Sequence, residues 1–370
     1  MDNFSFHPRL VFWELTRGCN LRCIHCRASA TELSSPDDLS HEESVEIINQ
    51  LAPFAPFILV LSGGEPLFRK DLFDLARHAA DSGIRVALAT NGTLITSEVA
   101  RKISEAGIQR VAISLDGPDA ATHDAFRGIP GAFDKALAGI AHLKEIGISV
   151  QINTSVAKHN SKRLPETLAL AQRIGVDAFH LFLLVPVGCG VQIAEKQMVE
   201  AEEYESILNW LYDQTLENKM ELKATCAPHF FRVVRQRRAE ARRRGEELPE
   251  PLAHGQGGHG AHSMNAMTRG CLAGTGVCFI SHKGQVFPCG YLPLEAGNLR
   301  QQKFAEIWRD SPLFASLRDV NNLKGKCGAC EFRNICEGCR ARAFGTDGDY
   351  LGEEPFCSYT PRGYERATVV

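Results

Sequence analysis

No apolar run in this sequence approaches the roughly 18 residues that a membrane-spanning helix needs. The segment Met1 to Arg9 shows no charged-then-apolar leader. A basic excess is missing as well: the formal net charge is −3, whereas phosphate-binding proteins usually carry a positive balance. These absences argue against a membrane span, secretion and a nucleic-acid partner, and they lead to the expectation of a cytoplasmic protein. Nor does the chain need disulfide staples, since 370 residues suffice for two or three domains and at least one large core. What it has instead is cysteine, 13 in number and clustered. In a reducing compartment such clusters bind metal or do chemistry rather than crosslink.

From residue 10 to about 185, short apolar runs alternate with longer amphipathic stretches. Strands are expected at Leu10–Leu15, Phe57–Leu61, Arg85–Ala89, Arg110–Leu115, Ser149–Thr154 and Phe179–Val185. Helices are expected around 41–52, 71–82, 97–106, 131–146 and 162–173, with starts signalled by Ser40 ahead of Glu42 and Glu43 and by Thr96 ahead of Glu98. Continuous apolar strands between helices mean an α/β protein with a parallel, covered sheet. A curved, partial (β/α)6 barrel and an open doubly wound sheet both fit that pattern. Beyond it, 201–223 reads as a helix and a short strand. The arginine-rich run Arg232 to Arg244 reads largely as a solvated helix face, and the Gly/His-rich stretch His254 to His262 as a mobile insertion. From Cys271 onward strand signals are few and cysteines dense, the texture of a small domain organised by metal.

Directly after the first strand comes Cys19-Asn-Leu-Arg-Cys23-Ile-His-Cys26. Three thiolates at these gaps can wrap one corner of a cubane, which ordinarily takes four. The next cysteine is Cys189, so one iron is left open for a small chelating ligand. A zinc site is the competing reading, since four closed ligands suit that ion and His25 lies within the loop. Gly63-Gly64-Glu65-Pro66 follows the second strand, Asn91-Gly92 the third, and Ser114-Leu-Asp116 the fourth. Arg127 follows in His-Asp-Ala-Phe-Arg-Gly. All sit at C-terminal strand ends, where parallel α/β folds place their sites.

In these motifs the chain resembles the radical S-adenosylmethionine superfamily. The resemblance implies a TIM-like partial (β/α)6 barrel with Cys19, Cys23 and Cys26 on a catalytic [4Fe–4S] cluster. It also implies S-adenosylmethionine held by Gly63, Gly64, Glu65, Asn91, Ser114, Asp116 and Arg127. The second cysteine field, Cys271, Cys278, Cys289, then Cys327-x2-Cys330-x5-Cys336-x2-Cys339 and Cys357, resembles the SPASM extension of such enzymes. Gly284 and Cys289 match its Gly-x4-Cys. By that likeness Cys271, Cys278, Cys289 and Cys339 hold a nearer auxiliary [4Fe–4S] cluster, and Cys327, Cys330, Cys336 and Cys357 a farther one. The spacing departs from the pattern between Cys336 and Cys339, by two residues instead of three, which leaves their allocation open. Paired zinc knuckles are the competing reading of the same C-x2-C spacing. The domains implied are 1–200 for the barrel, 201–270 for a bridging segment and 271–370 for a small C-terminal iron–sulfur domain.

Four longer stretches look like the radical heme synthases of the siroheme-dependent pathway. They are Pro8 to Arg17, Phe182 to Gly190, Ala224-Thr-Cys-Ala-Pro-His-Phe-Phe231, and Met267 to Gly276. That likeness implies iron-coproporphyrin III as substrate, two of its propionates being oxidatively decarboxylated to vinyls to give heme b, with an external electron donor and acceptor. Alternatives are a heme d1 pathway enzyme, a didecarboxysiroheme deacetylase, or a SPASM peptide maturase. Four propionates call for cationic partners, and Arg17, Arg27, Arg232, Arg235 and Arg269 lie near or within these stretches. His229 is the candidate for a further substrate contact, with a packed or capping histidine as the competing reading. Cys189 and Cys226 fall outside both cluster sets. Each reads as a small buried hydrophobe, with contact to substrate or metal as a second reading for Cys226.

Overall fold

The computed structural model describes residues 6–32, 35–246 and 270–364. Six strands, β1 (Leu10–Glu14), β2 (Ile58–Ser62), β3 (Arg85–Thr90), β4 (Ile108–Ser114), β5 (Ser149–Val156) and β6 (Ala178–Leu183), form in the expected places. They pair in chain order and in parallel. Between them run helices α1 (His41–Leu51), α2 (Leu72–Asp81), α3 (Ser97–Glu105), α4 (Ala120–Arg127), α5 (Ala132–Glu145) and α6 (Leu164–Ile174). Ser40 caps α1 in a reciprocal box with Glu43, and the Thr96 hydroxyl accepts from the Val99 N–H at the start of α3. The sequence reading passed over α4, a short helix capped by Asp119 and closed by Gly128 in the left-handed region at φ 74°.

The chain continues through α7 (Gly190–Gln197) and α8 (Ala201–Glu217) into β7 (Glu221–Thr225), which extends the sheet in parallel beside β6, and then into α9 (Phe230–Arg243). At the opposite edge β8 (Val277–Ile280) lies parallel to β1, followed by antiparallel β9 (Gln285–Phe287) and β10 (Gly297–Asn298). The result is one open ten-stranded sheet in the order β10-β9-β8-β1-β2-β3-β4-β5-β6-β7. A doubly wound sheet reverses its strand order at a switch point. From β1 to β7 no reversal occurs, so the curved partial barrel is the architecture.

Alternation along each strand sorts side chains between two faces. Val11, Trp13, Leu59, Leu61, Val86, Leu88, Val111, Ile113, Val150 and Ile152 point outward into the main core beneath the helices. The segment after Cys271 contributes to that same core through Cys278, Ile280, Val286, Phe304, Trp308 and Phe314. It is therefore anchored by apolar packing against the barrel. Among the described residues no helix is long and apolar enough to cross a membrane.

Candidate functional site

The inner face of the sheet encloses a cavity of about 450 Å³. Cys19, Cys23 and Cys26 line it from the loop after β1, while Cys226, Cys271, Cys289 and Cys339 line it from β7 and the C-terminal segment. One space is thus bounded by two cysteine groups.

The first loop is held by its backbone. Cys19 N–H donates to Thr31 O, Arg22 N–H to Arg127 O and Ile24 N–H to Phe126 O, so the end of α4 splints the cysteines. The His25 ring stacks on Phe126 at 3.8 Å, and Phe126 on His159 at 4.0 Å. With its ring in that stack, His25 is no partner for the three sulfurs. Each sulfur receives donors. Leu21 N–H donates to Cys19 Sγ at 3.4 Å, Ala30 N–H to Cys26 Sγ at 3.4 Å, and Arg127 Nη1 to Cys23 Sγ at 3.6 Å. Burial pushes the Cys19 thiol up to about 11. Deprotonation there requires a metal or cation to stabilise the thiolate.

Gly63 and Gly64 press against this loop. A Cβ on Gly64 would lie 2.4 Å from Gly18 O and 2.6 Å from Arg17 O, both backbone atoms. Gly64→Ala is therefore expected to displace the cysteine loop, and to weaken S-adenosylmethionine binding by about tenfold or more. Equilibrium dialysis with the reconstituted protein checks this. Glu65 was expected on the cofactor but lies outside the cavity. Its fully buried carboxylate accepts from Thr90 Oγ1 at 2.7 Å, Asn91 N–H at 2.9 Å and Leu67 N–H at 3.2 Å, tying β2 to β3. Burial raises its pKa against those donors. Asp116 is likewise withdrawn: it is buried beneath Arg127, in a 2.6 Å ion pair. Arg127, Asn91 and Ser114 do line the cavity. Burial opposes the Arg127 charge, but Asp116 and Cys23 outweigh it and lift its pKa above the usual range.

Cys327, Cys330, Cys336 and Cys357 surround a second, smaller cavity together with His229, Arg232 and Tyr359. Cys327 Sγ accepts from Glu354 N–H at 3.2 Å and from Arg340 Nη2 at 3.6 Å. Arg340 is 2 % exposed, and its remaining bonds go to the carbonyls of Gly338, Tyr350 and Gly352. Among the described residues it has no carboxylate at ion-pair distance. A buried guanidinium needs compensating negative charge, which a thiolate-bound cluster supplies and four neutral thiols do not. No group of three or more His, Cys, Asp or Glu side chains among the described residues closes around a single ion.

Polarity divides the large cavity. Val277, Phe279, Leu10, Phe12, Ile58, Val60, Ala87 and Ala89 face it from β8, β1, β2 and β3. From β4 to β7 the inward positions are mostly polar, Arg110, Ser114, Gln151, Asn153, Ser155, His180, Glu221, Lys223 and Thr225, with Ala112 and Phe182 set among them. Arg110 and His180 both meet Glu221, at 2.8 and 3.4 Å. Burial would raise the Glu221 carboxyl, but His180 and Arg110 overcome it and hold it at about 2. Lys223 makes no hydrogen bond or ion pair among the described residues, and burial lowers its pKa against the pull of Glu221.

Of the cationic candidates among the described residues, Arg27 alone is placed on this cavity, stacked 4.4 Å from the Phe279 ring centroid and paired with Glu14 at 2.7 Å. Arg17 instead donates to Ser29 O. Arg232 pairs with Glu205 beside Cys357, Arg235 is exposed, and Arg269 lies outside the described residues, as does His254 to His262. His229 is fully buried with neither ring nitrogen hydrogen-bonded, and it faces the smaller cavity, away from the large one. The sequence reading missed Arg110, His180, Glu221 and Lys223. Their signal was present: polar residues at most alternate positions of strands that a parallel sheet should bury on both faces.

Residues 13–183 match the Radical SAM superfamily, and residues 271–344 match SPASM, an iron–sulfur cluster-binding domain. The chain is 49% identical over 354 residues to the AdoMet-dependent heme synthase of Methanosarcina barkeri (strain Fusaro / DSM 804), covering 96% of this chain and 97% of that protein. It is 35% identical over 366 residues to the pre-heme d1 synthase of Dinoroseobacter shibae, covering 98% and 89%. Among solved structures, Streptococcus suis SuiB bound to the precursor peptide SuiA matches with a TM-score of 0.71 at 17% identity, over 96% of this chain and 77% of that one. At that identity the likeness shows the fold alone.

Proposed function

This chain belongs to the radical S-adenosylmethionine enzymes with a SPASM domain, in the family of the AdoMet-dependent heme synthases, and we propose that it converts two propionates of iron-coproporphyrin III to vinyls, giving heme b. Its cofactors are [4Fe–4S] clusters and S-adenosylmethionine. The observation that carries the substrate reading is the lining of the large cavity, mainly apolar from β8 to β3 and mainly polar from β4 to β7. A flat apolar macrocycle with acidic side chains matches both walls at once.

Bound at Cys19, Cys23 and Cys26, the cluster with S-adenosylmethionine supplies a carbon radical able to remove hydrogen from an unactivated C–H bond. Each propionate then loses one hydrogen atom, one electron and CO2, and becomes a vinyl group. Arg127 and Ser114 hold the carboxylate and ribose of the cofactor, with Asp116 fixing the Arg127 guanidinium from below. Backbone groups of Gly63 and Gly64 take its amino end. Lys223 and Arg27 meet propionates of the substrate, and Phe12, Phe279 and the small side chains Ala87, Ala89 and Ala112 shape the wall for the ring. An external donor and acceptor complete the electron balance, the acceptor side being served by the C-terminal cysteine field.

Lys223→Met is expected to raise the KM for porphyrin by roughly tenfold to hundredfold, the worth of a charge-assisted hydrogen bond, while leaving cofactor affinity unchanged. Anaerobically reconstituted protein with reductant, S-adenosylmethionine and iron-coproporphyrin III should release two CO2 per porphyrin, followed by mass. Cofactor cleavage without decarboxylation, where a related tetrapyrrole is converted, would overturn the substrate but leave the superfamily.

A further inference from the structure

The family pattern assigns the nearer auxiliary cluster to Cys271, Cys278, Cys289 and Cys339, and the structure does not assemble that set. Cys278 occupies the middle of β8, paired beside Val11 of β1. Its neighbours Val277 and Phe279 face the large cavity, so strand alternation turns Cys278 to the opposite face. There it is wholly buried in the main core with Ile280 and Val286. Among the described residues Arg318 is the only charged or ionisable group that acts on it, and no other cysteine there is near enough to do so. Bringing its sulfur into the cavity would need a one-residue slip of β8, which would also expel Val277 and Phe279 and turn Ile280 inward.

Cys226 stands where Cys278 does not. It follows β7 at φ 58°, a left-handed conformation that is strained for a non-glycine residue and persists only when its surroundings impose it. The imposing contact is Arg342, whose Nη2 donates to Cys226 O at 2.6 Å. So turned, the side chain lines the cavity with Cys271, Cys289 and Cys339, and packs in the same small cluster as Cys289 and Cys339. The sulfurs of Cys339, Cys289 and Cys271 all act on it, and its own sulfur makes no hydrogen bond among the described residues.

We propose that Cys226, and not Cys278, is the fourth protein ligand of the nearer auxiliary cluster. The ligand set then draws one cysteine from the turn after barrel strand β7 and three from the C-terminal segment, so that the cluster bridges the two. This inference concerns cluster ligation only and holds whichever tetrapyrrole is bound.

The test measures iron and sulfide per chain, with EPR of the dithionite-reduced and of the oxidised protein, in anaerobically reconstituted full-length variants lacking the catalytic cluster through Cys19→Ala, Cys23→Ala and Cys26→Ala. Adding Cys226→Ala is expected to remove about four irons or to leave a three-iron signal in the oxidised protein. Adding Cys278→Val is expected to keep iron content and both spectra unchanged. Should Cys226→Ala fail to fold, Cys226→Ser keeps the volume and is expected to shift the reduced-state EPR signal of one cluster. Full iron with unaltered spectra in the Cys226 variants would overturn the proposal. So would loss of a cluster in Cys278→Val with the fold intact by circular dichroism.

Discussion

Cys23→Ala should yield a folded protein that has lost about four irons and forms no 5′-deoxyadenosine above background. The loss is specific because the loop does not depend on its sulfurs for shape. Arg22 and Ile24 N–H groups bond to Arg127 and Phe126 carbonyls, and Cys19 N–H to Thr31 O. The thermal midpoint should therefore stay close to that of the parent apoprotein, and the auxiliary iron should remain. Arg127 loses one of its partners, the sulfur at 3.6 Å, but keeps Asp116 at 2.6 Å. Iron analysis and chromatography of the cleaved cofactor check the two halves of this expectation separately. Retention of cofactor cleavage would place the open iron elsewhere.

Arg342→Leu should have the largest effect on stability. Arg342 is 0 % exposed and spans the joint between barrel and C-terminal segment. Its Nη1 donates to both Glu354 oxygens at 3.1 Å, while Nη2 and Nε reach the carbonyls of Leu183, Leu184 and Cys226. Burial would raise the Glu354 carboxyl, but Arg342 and His229 hold it below the usual range, so it is charged. Removing the guanidinium leaves that carboxylate buried and unpaired, at a cost of about 3–5 kcal/mol. A lowered thermal midpoint and loss of auxiliary iron are the readouts. The double variant Arg342→Leu/Glu354→Leu should recover part of the midpoint, because the orphaned charge is then gone. If the double variant is no more stable than the single one, lost carbonyl contacts rather than the stranded carboxylate set the cost.

The barrel was legible because β1 to β6 are continuous apolar runs separated by capped amphipathic helices, the pattern that parallel pairing imposes. β8 to β10 were not, since Val277–Ile280 is a four-residue run among cysteines and glycines, too short to stand out as a strand. That omission had a consequence for the site. With no strand assigned at 277–280 there was no alternation to apply, and Cys278 was placed with Cys271 and Cys289 by family order alone. Glu65 and Asp116 sit inside cofactor motifs, yet their carboxylates are turned into the protein to position Asn91 and Arg127. Sequence proximity to a motif does not separate a residue that touches a ligand from one that orients its neighbour. The same holds for His229 and Arg232, which follow a cavity-lining cysteine but lie at the cap and in the first turn of α9. Lys223, by contrast, was readable from Glu221-Leu-Lys-Ala-Thr225, where charged and apolar residues alternate along a strand.

The proposed reaction requires that a radical formed beside Cys23 reach a propionate β-carbon within the cavity that Cys271, Cys289 and Cys339 close from the other side. Iron-coproporphyrin III deuterated at the propionate β-carbons tests this most directly, with the recovered 5′-deoxyadenosine analysed by mass spectrometry. Deuterium in 5′-deoxyadenosine, matched to vinyl formation one for one, is the expected result. Unlabelled 5′-deoxyadenosine accompanying vinyl formation would contradict it.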